Sequence, residues 1–121
     1  MANATDVRIK PIFITDNETG DRYELDFSRD SVTFAEARKF DPTDVPSYLA
    51  TKVPEFFFYA FRMHHKNLSR QQTDKILKNL GGLTEAMLER LVLLYDQARM
   101  SNTLQTDEDL EKNSRMAVEM D

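Results

Sequence analysis

Two adjacent histidines, His64 and His65, are the side chains in this 121-residue chain best suited to metal binding or proton transfer. They close the stretch EFFFYAFRMHHK, residues 55 to 66. On a helix, neighbouring side chains point about 100° apart, so the two imidazoles cannot readily grip one ion together. No HExxH pattern accompanies them. The residues favour one buried, hydrogen-bonded histidine and one solvated one. The sharper alternative is a small metal-dependent enzyme using His64 and His65 with nearby acids. Other chemistry lacks its parts. Without cysteine there is no disulfide, thiolate nucleophile or cysteine-based zinc site. Gly20, Gly81 and Gly82 are the only glycines, which rules out a glycine-rich phosphate loop, and no GxSxG elbow occurs. The carboxylates are spread over expected helix surfaces. These residues offer no catalytic, metal or cofactor set to assign.

Charge narrows the partners. Residues 1 to 100 carry 14 basic and 15 acidic side chains, whereas residues 101 to 121 carry Lys112 and Arg115 against six acids. The body is nearly neutral and the end is acidic. No basic stripe is present for nucleic acid. No run approaches membrane-spanning length, and MANATDVRIK lacks the charged start and apolar core of a secretory signal. An intracellular protein that contacts neither nucleic acid nor membrane is expected.

The expected fold is α+β and mostly α: an N-terminal β-hairpin, four to five helices, and a disordered acidic tail. One domain spans residues 1–100 and the tail residues 101–121. In DRYELDF, Tyr23, Leu25 and Phe27 alternate with polar residues at the period of a half-buried strand. Upstream, RIKPIFI is rich in β-formers, and Pro11 marks an edge strand. The hairpin covers residues 7 to 27, with its turn in DNETGD. A first helix follows in SRDSVTFAEARKF. Thr33 and Glu36 match a capping box, with Asp30 or Ser31 as other caps, and Val32, Phe34 (or Ala35) and Ala37 face the core. DPTDVP interrupts the chain, and a short helical turn spans Ser47 to Lys52. The aromatic helix runs from about 54 to 66 with Pro54 in its first turn. Ser69 and Gln72 cap the next helix, which stops at Gly81-Gly82. Its face is Thr73, Ile76, Leu77 and Leu80. Thr84 caps a last helix whose apolar face is Met87, Leu88, Leu91, Val92, Leu94, Tyr95 and Ala98, with Leu83 and Leu88 as a hydrophobic staple.

On a helical wheel, Glu55, Arg62 and Lys66 share a narrow polar arc and apolar residues fill the remainder. A helix so apolar is either central or partly covered by a partner. Phe58 lies nearest the polar arc, which makes it the candidate exposed edge, with Arg62 beside it. In the tail, Leu110, Met116, Val118 and Met120 are small apolar anchors that binding could order.

Three stretches in series, ELDFSRDSVTFAEARKFD, FFFYAFRMHHKNLSRQQTDKIL and LGGLTEAMLERLVLLYDQ, resemble the tail assembly chaperones of long-tailed, siphovirus-type phages and prophages of Gram-positive bacteria. The resemblance covers roughly residues 8 to 100. It implies a non-catalytic protein of the host bacterial cytoplasm, absent from the mature virion. It further implies that the tape measure protein is bound and kept soluble while the tail tube assembles around it. The tail tube protein is a further partner, and self-association is expected. Many such chaperones exist in a short and a longer frameshifted form, and this chain corresponds to the short one. The alternative is a structural tail or head-tail connector component of the phage particle.

Overall fold

A computed structural model describes residues 8–101, 103–112 and 115–120. It contains a two-stranded antiparallel hairpin followed by helices. Position 7, where the hairpin was expected to begin, lies outside the described residues. Strand β1, Ile12–Thr15, pairs with β2, Arg22–Leu25, in the register Ile12 opposite Leu25 and Thr15 opposite Arg22. Asp16 fixes the turn. Its carboxylate accepts the amides of Glu18 and Thr19, its carbonyl accepts the Gly20 amide, and Gly20 takes a φ of 81° open to glycine at no steric cost.

Helix α1, Arg29–Ala37, starts before the expected caps. Ser28 is its N-cap and forms a reciprocal box with Ser31. Thr33 lies inside the helix, with its hydroxyl donating to the Arg29 carbonyl at 2.8 Å. Val32 and Ala35 are buried as expected, but Ala37 is exposed, because at about 100° per residue it points away from the face that Ser31, Val32 and Ala35 bury. The DPTDVP segment is a 3-10 helix, Pro42–Ser47, capped by Asp41. It buries Val45.

Helix α2 runs Leu49–Phe61, so it starts and ends about five residues earlier than expected. The segment Ser47 to Lys52 is not a separate turn. Pro54 sits within α2 and costs one backbone hydrogen bond, which would have gone to the exposed end of the helix at Ala50. Burial of Phe56, Phe57, Tyr59, Ala60 and Phe61 outweighs that loss, at about 1.5–3 kcal/mol for each large side chain fully enclosed.

Helix α3, Arg70–Leu80, has the Ser69–Gln72 capping box, and Gly81 closes it in the left-handed conformation. Helix α4, Glu85–Met100, is capped by Thr84. Leu91, Leu94, Tyr95 and Ala98 are buried, while Met87, Leu88 and Val92 are half-buried. The segment expected to be disordered contains a short helix α5, Asp107–Glu111, held by a Thr106–Asp109 capping box. Residues 116–120 have no regular structure.

Helix α2 is central, packing on β2, α1, the 3-10 helix and α3, while α4 closes the other side against α1 and β1. The core is an aromatic cluster drawn from distant positions. Phe27 stacks on Phe56 at 5.4 Å and meets Tyr95 edge-on at 5.2 Å. Phe40 meets Tyr59 edge-on at 5.1 Å. Such pairs add about 0.5–1.5 kcal/mol each beyond area burial. Enclosure pushes the Tyr95 hydroxyl up to about 12.

Candidate partner-binding surface

The fold separates the two histidines. His65 is half-buried, and its Nε2 accepts the Glu24 amide at 2.9 Å. Glu24 lies on the outer edge of β2, so an imidazole there satisfies a strand donor that has no third strand. Tyr23 and Phe61 meet the ring edge-on. Burial pushes the His65 pKa below its usual 6.5, with the neighbouring His64 adding to the shift and Glu24 opposing it. His64 is exposed and places Nε2 3.2 Å from a Glu24 carboxylate oxygen. One ring accepts a strand amide, and the other lies beside a carboxylate.

Glu24, Asp26 and His64 do bring donor atoms within 4.8 Å of one another. Of the three, Asp26 already has a cation beside it, Arg8. Asp26 was expected to point outward, yet it is buried, with one oxygen on Arg8 at 2.8 Å and the other on the Phe27 amide at 2.8 Å. Asp26 lies just past β2, with its amide on the Ala60 carbonyl of α2 and its carboxylate met by Arg8 from before β1, contacts invisible to strand alternation.

The candidate contact residues Phe58 and Arg62 are brought together, but by packing within the chain. Phe58 is half-buried, 6.5 Å from the Phe34 ring on α1. The guanidinium of Arg62 lies 3.8 Å from the centre of that ring, and that of Arg38 lies 3.5 Å from it. Arg62 Nε is enclosed and sits 3.4 Å from an Asp30 carboxylate oxygen, an ion pair without hydrogen-bond geometry. Asp30, Phe34 and Arg38 repeat every fourth residue on α1, so one helix stripe presents an acid, a ring and a base to α2. Cation–π contacts of this kind contribute about 0.5–2 kcal/mol.

Exposed apolar surface lies elsewhere. Leu93 is 52% exposed and Met100 44%, seven residues apart and therefore on one face of α4. Leu104, just past the helix with its amide on the Met100 carbonyl, is 67% exposed. Sequence reasoning missed all three, although the i, i+7 spacing of Leu93 and Met100 was legible. Leu93 falls on the polar side of α4 and escapes a search for the core stripe. In the tail, Met116, Val118 and Met120 are exposed and Leu110 is half-buried.

Among the described residues no nucleophile, base and oxyanion donors converge. The open cleft of about 300 Å³ between the 3-10 helix and α4 is lined by Glu36, Asp41, Tyr95, Asp96 and Arg99 among others. The Asp41 carboxylate there is held below its usual range by the Thr43 amide and hydroxyl, which is a capping role.

No curated protein and no solved structure matches this chain. A family model described as a domain of unknown function, DUF5055, matches residues 1–120, and the chain belongs to that family.

Proposed function

For a member of a family whose description assigns no function, we propose a non-catalytic role as a phage tail assembly chaperone that binds the tape measure protein and keeps it soluble in the host bacterial cytoplasm. The observation that carries this reading is the exposed pair Leu93 and Met100 on one face of α4, with exposed Leu104 just beyond its end. A long helical client presents an apolar stripe that needs a complementary apolar helix face. Leucine and methionine seven residues apart, flanked by Arg90, Asp96 and Arg99, supply one with a polar rim. The acidic end, Asp107–Glu111 with Glu119, would keep the complex dispersed through like-charge repulsion. Among the described residues no helix is long and apolar enough to cross a membrane, which suits such a role.

The test is co-expression with a tape measure fragment encoded beside this chain. The fragment should be soluble with the wild type and aggregate with the double variant Leu93→Glu, Met100→Glu. Both changes are at exposed positions, so the variant should keep its circular dichroism spectrum. Equal client solubility with wild type, variant and empty vector would overturn the proposal. Finding the chain stoichiometrically in purified particles would favour a structural tail or connector component instead.

A further inference from the structure

Every polar main-chain group in a two-stranded sheet either enters the ladder or faces outward. The Asp16 amide bonds to the Asp21 carbonyl, and the register then makes Ile14–Tyr23 and Ile12–Leu25 the hydrogen-bonded pairs. On β2, the outward amides are satisfied: Glu24 donates to His65 Nε2 and Asp26 to the Ala60 carbonyl at 3.1 Å. On the β1 side the same parity points residues 9, 11, 13 and 15 outward. Ile9 donates to the Gln97 side chain at 3.1 Å. Pro11 has no donor to satisfy. Phe13 and Thr15 remain, both exposed, and among the described residues nothing accepts from their amides or donates to their carbonyls.

We propose that the open β1 edge at Phe13–Thr15 pairs with the same edge of a second copy of this chain, antiparallel about a two-fold axis at Ile14. Geometry selects this occupant. With Phe13 opposite Thr15 of the second copy, the amide and carbonyl of each meet a partner and no donor is left over. Centring the axis on Phe13 instead would set the Thr15 carbonyl against Pro11, which has no N–H. Centring it on Thr15 would run the strand into the Asp16–Gly20 turn. The result is a continuous four-stranded sheet, relieving the marginal stability of a lone hairpin. The window is short, so the dimer is weak and concentration-dependent: an edge of this length falls well below the ~1,200 Å² typical of stable interfaces. The resemblance also implies self-association; the inference adds the surface and register, and it is argued from the β1 edge alone, using neither α4 nor a client.

Sedimentation velocity on the full chain over a concentration series tests it. Wild type should move from monomer to dimer as concentration rises. Phe13→Pro removes only an outward amide and leaves the hairpin ladder intact, so the fold should persist while dimerisation weakens roughly tenfold or more. Cross-linking fixes the register. The chain has no cysteine. Ile14→Cys places two cysteines at a non-hydrogen-bonded pair on the axis, within disulfide reach, whereas Phe13→Cys places them beyond the ~7 Å limit. Ile14→Cys should therefore oxidise to a covalent dimer faster than Phe13→Cys, although residue 13 is the more exposed. A chain monomeric at all concentrations, a dimer indifferent to Phe13→Pro, or faster cross-linking through Phe13→Cys would each overturn the proposal.

Discussion

Replacing Lys39 by glycine should stabilise this protein. Lys39 has a φ of 62°, and among the described residues it is the only one other than glycine with a positive value. It occupies the left-handed position of a closing motif for α1. Its amide donates to the Glu36 carbonyl at 2.9 Å, and the Phe40 amide donates to Ala35 at 3.1 Å. That turn delivers Phe40 into the aromatic core beside Phe56, Tyr59 and Tyr95. The left-handed conformation costs a residue with a Cβ about 1–2 kcal/mol. Glycine avoids it but brings extra unfolded-state freedom of about 0.5–1 kcal/mol. The net gain is about 0.5–1 kcal/mol, or a rise of about 2–8 °C in Tm for a domain of this size. Urea denaturation should show a higher midpoint at unchanged slope. Lys39→Ala keeps the Cβ and should show no gain, which separates backbone strain from loss of the exposed charge. The reasoning fails if glycine gives no increase, or if alanine gives the same one.

Three further outcomes are expected. Because the folded His65 pKa lies below 6.5, the unfolded chain binds more protons as pH falls through the ordinary imidazole range, so stability should drop from about pH 7 toward pH 5. His65→Gln keeps an acceptor for the Glu24 amide but does not titrate, so its urea midpoint should vary less over that range, with His64 and Glu24 unchanged as a shared background. Phe57→Ala empties a fully buried site and should cost about 3–5 kcal/mol, a large share of the 5–15 kcal/mol typical of a domain, read as a fall in Tm and in soluble yield. Ser69→Ala removes the hydroxyl that accepts the Gln72 amide at 3.1 Å and should cost about 1 kcal/mol in urea denaturation.

The sequence alone determined the features that arise within a few residues. Ser69 with Gln72, Thr84, and Gly81-Gly82 act through bonds one turn long, so α3 begins and ends, and α4 begins, where their residue types require. The alternation in DRYELDF placed Tyr23, Leu25 and Phe27 on the inner face for the same local reason. Tertiary structure decided whatever depends on residues distant in the chain. Helix α2 runs through Pro54 because aromatics from β2, α1 and α4 enclose its far end. Asp26 is buried where its backbone meets Ala60 of α2 and Arg8 meets its carboxylate, and Phe58 and Arg62 pack on Phe34 rather than facing solvent. The uncovered apolar surface is not centred on Phe58: Leu49 at the start of α2 and Leu93 and Met100 on α4 are the exposed positions, and only the packed structure shows that these are the ones left open. Periodicity reports which side chains share a face, but whether that face is covered depends on which distant elements pack against it.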